Sequence, residues 1–250
     1  MHKKVWEITK KEHILNLLVQ LVAIVYKKTV RTVLPTTGYV TYNGIKIKPI
    51  KFGDRYLSSS WRSYKQQIRI NYESALVNGL KSCVKQGDKV VIVGGGAGVT
   101  TIYASKLTGT AGKVICYEVK KNACKNIRHS LRINSVPDNI TIVNRCVGQP
   151  VKVREDLRVK DFVNPGDLPD CDVLELDCEG AERGILESMA IRPRVILVET
   201  HGLYGSSTEQ ILKILENADY RIETVEVAEP DLQGYCLEHD IHVITAMRAQ

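Results

Sequence analysis

The feature that most limits what this chain can fold into is the run VVIVGGGAGVTT at residues 90–101. Four successive β-branched apolar residues offer no polar face, so they form a strand covered on both sides, as in a parallel sheet. Gly94, Gly96 and Gly98 then make a turn without side chains, and an apolar helical pattern at residues 100–107 follows directly. A strand, a bare turn and a helix N-terminus present backbone N–H groups to a ligand that carries negative or lone-pair atoms.

Spacing narrows the ligand. The dinucleotide fingerprint G-x-G-x-x-G/A needs a third small residue where this chain has Val99. A second strand-like run, KVICYE, ends in Glu118, about twenty residues past the turn, where a carboxylate can accept both ribose hydroxyls of an adenosine. Turn and carboxylate together point to a nucleoside cofactor bound by Gly94, Gly96, Gly98 and Glu118. The missing small residue argues against a nicotinamide dehydrogenase.

At 250 residues the chain can bury a full core. Strands are predicted at 90–93, 114–117, 140–143, 173–176, 195–198, 222–225 and 241–245, and helices at 72–85, 100–107, 121–133, 181–189 and 209–217. Alternating β and α with apolar strands implies an α/β, Rossmann-like fold: a seven-stranded, mostly parallel sheet with helices on both faces. Between the last two strands GYCLEHD is a poor helix, so a loop and an antiparallel last strand are expected.

Residues 72–250 form this domain and residues 1–71 an N-terminal extension. Within the extension, HILNLLVQLVAIVYKK is apolar at nearly every position up to Val25, then meets Lys27, Lys28 and Arg31. The run is short for a bilayer span and lacks a small-residue cleavage site. It reads as a helix packed on its own domain or on a second subunit of a homo-oligomer, or as a peripheral membrane contact through residues 13–28. Asn43-Gly44, between alternating apolar and polar residues, marks a hairpin. The polar stretch 55–71, carrying Trp61 and Tyr64, is expected to cover a pocket.

The net charge of +7 and pI near 9.0 come mainly from residues 1–65, whereas residues 161–240 are acid-rich. Seven cysteines without C-x-x-C spacing suggest reduced thiols in a cytoplasmic protein, not a disulfide framework or a zinc site.

Ligands on open α/β sheets bind beyond the carboxyl ends of the strands. Asp177, Glu179 and Glu182 follow the fourth predicted strand, and Glu199 and His201 end the fifth. Carboxylates there are costly without partners or a task, although Glu179 and Glu182 could also serve a helix dipole. Oxygens beside an imidazole could also hold Mg²⁺ or Ca²⁺, but the set has no recognisable ligand spacing, so no metal is expected.

Together, VVIVGGGAGVTT, CYE, DVLELDCEGAE and VILVETHG resemble the FkbM-type methyltransferases over residues 72–220. The specific part is residues 177–182 followed by residues 199–201. The resemblance implies a class I methyltransferase fold and S-adenosyl-L-methionine held by the glycine turn and Glu118. It also implies methyl transfer to a hydroxyl oxygen of a small molecule, a glycan or a lipid-linked sugar. Such a transfer is an in-line displacement that needs the acceptor aligned and its proton removed. Catalysis then falls to His201 as first choice of base, Asp177 as second, and Glu199; Glu179 and Glu182 would bind the acceptor. Class I enzymes often carry an acid two residues before the first glycine, where this chain has Ile92.

Two alternatives remain. The basic segment KKNACKNIRHSLRIN suggests an RNA-modifying methyltransferase of the same fold. Enzymes that methylate base nitrogens commonly place Asn/Asp-Pro-Pro-Tyr after the fourth strand; this chain has Asp177-Cys178-Glu179-Gly180, and an acidic rim repels phosphate, so nucleic acid is disfavoured. The other alternative is a non-catalytic nucleoside-binding protein on the same fold.

Overall fold

The computed structural model describes residues 17–22, 24–26, 28–52, 54, 69–148 and 162–249. They fall into two compact units, Met1–Ile70 and Asn71–Gln250.

In the first unit, residues 17–22 and 24–26 are helical, and Leu17, Leu18, Leu21, Val22, Ile24 and Val25 all stand exposed. No helix among the described residues is long and apolar enough to cross a membrane. Strands β1 (Thr36–Tyr42) and β2 (Ile45–Lys51) pair antiparallel as the expected hairpin. Its turn puts Asn43 and Gly44 at φ 44° and 74°, the left-handed pair that matches strand twist. Asp54 ties the unit together: its oxygens accept from Arg31 Nε at 2.8 Å, Arg31 Nη2 at 2.9 Å and the Lys51 N–H at 2.8 Å. The Tyr26 hydroxyl lies 3.0 Å from the same carboxylate. Of the expected pocket cover, residues 55–68 lie outside the described residues.

The second unit is built on nine strands and six helices among its described residues. The strands are β3 (Lys89–Val93), β4 (Lys113–Tyr117), β5 (Ile140–Val143), β6 (Cys146–Val147), β7 (Phe162–Val163), β8 (Val173–Leu176), β9 (Val195–Glu199), β10 (Tyr220–Val227) and β11 (His242–Arg248). The helices are α1 (Ser74–Cys83), α2 (Val99–Thr108), α3 (Lys121–Asn134), α4 (Glu182–Ser188), α5 (Thr208–Asn217) and α6 (Gln233–Glu238). Seven strands form one sheet in the order β10-β11-β9-β8-β3-β4-β5. β11 runs antiparallel to both neighbours, and the other pairings are parallel. This is the seven-stranded, mostly parallel arrangement expected from the strand pattern, with the antiparallel last strand in place.

Side-chain alternation explains why the strands are apolar throughout. Val90 and Ile92 pack beneath Leu76 and Leu80 of α1, Ala104 of α2 and Ile127 of α3. Val91 and Val93 point the other way, toward Ile185 of α4 and Ile211 and Leu215 of α5. Both faces are therefore buried, which a period-2 apolar/polar strand could not satisfy. α5 begins with a capping box: the Ser207 hydroxyl accepts from the Gln210 N–H, and Gln210 Oε1 accepts from the Ser207 N–H.

One expectation needs correction. The connection between the last two strands holds a helix, α6, preceded by a tight turn at Pro230–Leu232, where a loop was expected. Six residues including Gly234 carry too little periodicity to register as a helix, and burial of Cys236 against the sheet supplies the missing stabilisation.

Candidate active site

The glycine turn is shaped by close backbone approach. Gly94 has φ 102°, and its N–H donates to the Tyr117 carbonyl at 2.9 Å. A Cβ on Gly94 would fall within the Asp177 carbonyl, 2.6 Å from its carbon. Residue 94 thus lets the end of β8 lie directly against the turn. A Cβ on Gly96, at φ 48°, would meet two side chains of the cleft lining, Glu73 Oε1 at 3.4 Å and the Tyr72 hydroxyl at 3.7 Å. Gly98 is the N-cap of α2 and packs against Ile127; unlike Gly94 and Gly96, it does not line the cleft.

Glu118 is buried at the end of β4. Its Oε2 accepts from the Gly96 N–H at 3.0 Å and its Oε1 from the Lys120 N–H at 2.7 Å. The sequence suggests a carboxylate reserved for ribose, whereas the structure shows one that already clasps the turn. Glu118 thus shapes the turn while itself lining the cleft above it.

A cleft with about 960 Å³ of empty space, open to solvent, lies over this turn. Tyr72, Glu73, Gly94, Gly96, Tyr117, Glu118, Lys120, Arg145, Asp177, Cys178 and Glu179 are among its lining residues. Four carboxyl groups face two cations there, so the cleft suits a ligand bearing positive charge. Glu179 reaches Lys120 at 3.9 Å. Glu73, absent from the sequence-based set, joins the lining from a left-handed backbone at φ 51° just before α1. Burial, reinforced by nearby Asp177, pushes its carboxyl well above the usual range. No sequence signal marks it, because its place depends on where α1 begins.

The predicted catalytic residues do converge. His201 Nε2 lies 3.7 Å from Asp177 Oδ1 and 3.7 Å from Glu199 Oε1. Burial raises Asp177 to about 6 against the pull of the His201 ring. It raises Glu199 well above the ordinary value too, with Asp177 adding repulsion. On His201 burial opposes the charged form, but contact with Glu182 and the charges of Asp177, Glu182 and Glu179 together outweigh it and hold the ring above its usual value. Of the three, only Asp177 lines the cleft; His201 and Glu199 stand behind it.

Glu182 is placed differently from the acceptor-binding role its position suggested. It is fully buried, and its oxygens accept from the N–H groups of Cys178 (2.9 Å) and Gly180 (2.9 and 3.1 Å). Despite burial its carboxyl is held low, by His201 and by these N–H groups. His201 Nδ1 sits 3.0 Å from Glu182 Oε1, close enough for strong attraction although off the hydrogen-bond axis. Glu182 therefore folds the chain after β8 and backs the imidazole. A second unforeseen acid is Glu175, beside Ile92 in the β3–β8 register. It is buried with neither oxygen hydrogen-bonded among the described residues, and burial raises it to about 8.

Comparison with known proteins agrees with the resemblance carried by residues 177–182 and 199–201: residues 147–222 match the methyltransferase FkbM domain. A ribosomal protein L11 methyltransferase of Bacillus cereus is 26% identical over 149 residues, which make up 60% of this chain and 43% of that protein. The chain thus spans less than half the length of the curated relatives it matches. Among solved structures, fibrillarin of Aeropyrum pernix, crystallised with natively bound S-adenosyl-L-methionine, is 19% identical with a TM-score of 0.48. That likeness covers 70% of this chain and 73% of fibrillarin. A SAM-dependent O-methyltransferase of Thermotoga maritima is 20% identical with a TM-score of 0.47, over 71% of this chain and 65% of its own.

Proposed function

We propose, starting from a chain that carries an FkbM-domain segment on a seven-stranded Rossmann-like sheet, that this protein is an S-adenosyl-L-methionine-dependent O-methyltransferase. The observation that carries this is Glu118 clasping the glycine turn at the mouth of an acid-lined cleft. The residues present fit the cofactor. A Cβ at position 96 would project into the cleft, so the turn is bare where a nucleoside would lie. Excess carboxylate complements a ligand that carries a sulfonium and an ammonium group. When bound, S-adenosyl-L-methionine supplies an electrophilic methyl carbon for in-line displacement.

The chain's own groups then do two things. Gly94, Gly96 and Glu118 hold the adenosine, and Glu73 lines the same space. Asp177, the member of the cluster that opens into the cleft, meets the acceptor hydroxyl and accepts its proton, with His201 and Glu199 behind it. Glu179, beside Lys120 on the rim, contacts the rest of the acceptor. The order of roles differs from the sequence-based one, in which His201 was the first base. Asp177 takes precedence because it alone of the three reaches the cleft.

A second acceptor class has specific support: the curated relatives are ribosomal protein L11 methyltransferases, which favours a protein substrate. The test is transfer of labelled methyl from S-adenosyl-L-methionine to fractionated alcohols, glycolipids, ribosomal proteins and RNA. Label in an alkali-stable ether of an alcohol or glycan, lost in Asp177→Asn, is the expected result. Label confined to the protein fraction would replace the hydroxyl acceptor with a protein one. No transfer to any fraction by a chain that binds the cofactor would favour the non-catalytic alternative.

A further inference from the structure

Three atoms of ligand type converge where β8 and β9 end: Asp177 Oδ1, Glu199 Oε1 and His201 Nε2 lie within 4.8 Å of one another. The imidazole nitrogen is 3.7 Å from each oxygen. That is beyond hydrogen-bond reach. It is the separation of two ligand atoms that each lie about 2.1 Å from one ion at an open bond angle. His201 is 8% exposed, and its Nε2 has no hydrogen-bond partner among the described residues.

What stands behind the ring completes the pattern. Glu182 faces Nδ1 at 3.0 Å and is itself pinned by the Cys178 and Gly180 N–H groups. A carboxylate at that distance attracts a proton on Nδ1, which would leave Nε2, the nitrogen nearer Asp177 and Glu199, to bind an ion. Histidines that ligate metals are backed in this way, the outer carboxylate fixing tautomer and orientation. The backbone support is rigid: the His201 N–H donates to Ser206 O at 2.9 Å, and the Ser206 N–H donates back at 3.2 Å. Tyr204 stacks on the ring, with centroids 6.2 Å apart.

We propose that Asp177, Glu199 and His201 bind one divalent transition-metal ion. One imidazole nitrogen with two carboxylates suits Mn²⁺, Fe²⁺ or Zn²⁺ better than Ca²⁺, which prefers six to eight oxygens. Asp177 is the ligand that also lines the cleft, so an oxygen of the acceptor would reach the ion from its side. Coordination there lowers the hydroxyl pKa, and its proton leaves to the non-coordinating oxygen of a ligating carboxylate and then to water. The role in catalysis rests on the transferase reading; the ion site itself does not.

The test is titration of the full chain with Mn²⁺, followed by electron paramagnetic resonance of the free ion and by calorimetry. One saturable ion per chain is expected. Its affinity falls by at least ~10-fold in His201→Ala and in Glu199→Gln, and by ~10–100-fold in Glu182→Gln, where only the support behind the ring is lost. Should a variant fail to fold, the wild-type protein decides alone: pulsed resonance of bound Mn²⁺ shows coupling to an imidazole nitrogen. Absence of saturable Mn²⁺ and Zn²⁺ binding below ~1 mM overturns the site, as does bound Mn²⁺ without nitrogen coupling. Cofactor calorimetry on the same samples separates the two claims. Cofactor binding without ion binding removes the metal site alone, whereas ion binding without cofactor removes the transferase reading alone.

Discussion

Replacing Gly94 by alanine tests whether the turn is bare because backbone must touch backbone. At φ 102° the added Cβ meets the Asp177 carbonyl, 2.6 Å from its carbon, so β8 cannot keep its end where it is. Neither party can yield by rotating a side chain. The forbidden backbone region costs about 1–3 kcal/mol, and overpacking costs about 1–3 kcal/mol more. A total near 2–6 kcal/mol corresponds to a fall of roughly 4–24 °C in melting temperature for a unit of this size. Gly184 is the internal control. It lies in α4 with nothing within 4 Å of an added Cβ and no positive φ. There alanine should stabilise by about 0.5–1 kcal/mol through better helix propensity and a less flexible unfolded chain. Calorimetric melting of both variants reads the contrast, and cofactor titration reads its consequence, since displacing the Asp177 backbone deforms the cleft. Gly94→Ala with wild-type stability would refute the reasoning, as would a Gly184→Ala that melts as low as Gly94→Ala.

Further outcomes follow from single groups. Glu182→Gln keeps the shape but weakens the charge-assisted bonds to Cys178 and Gly180, so urea unfolding should show a loss of about 1–3 kcal/mol; no change would mean those N–H groups find other partners. Asp54 is held below its ordinary value: burial works the other way, but Arg31, the Lys51 N–H and Tyr26 together prevail. Because the folded carboxyl is the stronger acid, its contribution is complete above the unfolded pKa and lost as pH falls through the folded one. Asp54→Asn should therefore destabilise the hairpin unit at neutral pH and flatten its acid dependence; an unchanged acid profile by circular dichroism would contradict this. The exposed Leu21, Val22, Ile24 and Val25 beside Lys28 predict that the chain co-sediments with anionic vesicles at low salt, and Leu21→Ser/Val22→Ser should weaken this. Full recovery in the supernatant would exclude a lipid surface.

Much of the sheet was legible in advance because buried parallel strands leave a plain signature: apolar, β-branched runs such as Val90 to Val93, closed by Gly94, and Val195 to Val198, closed by Glu199. Residues 177, 199 and 201 were legible as a cluster for the same reason, since strand ends that neighbour in the sheet must bring their next residues together. What stayed hidden depends on direction and depth. Glu118 and Glu182 look like ligand carboxylates in one dimension, yet both spend oxygens on backbone N–H groups that only the folded turn presents. Glu73 enters the cleft through a left-handed backbone, and Glu175 is buried through its register beside Ile92. Neither position has a periodicity to read. α6 was missed because six residues owe their helix to what they cover, not to their own pattern.

The central claim is that adenosine lies on the bare turn under the grip of Glu118, and isothermal titration of the full chain with S-adenosyl-L-methionine and its demethylated product tests it most directly. The wild-type protein should bind both ligands. Glu118→Ala, which removes charge-assisted bonds worth about 1.5–3 kcal/mol, should bind each about 10–150-fold more weakly while remaining folded. A wild-type chain that takes up neither ligand, or a Glu118→Ala chain that binds them as well as the wild type, would contradict the account.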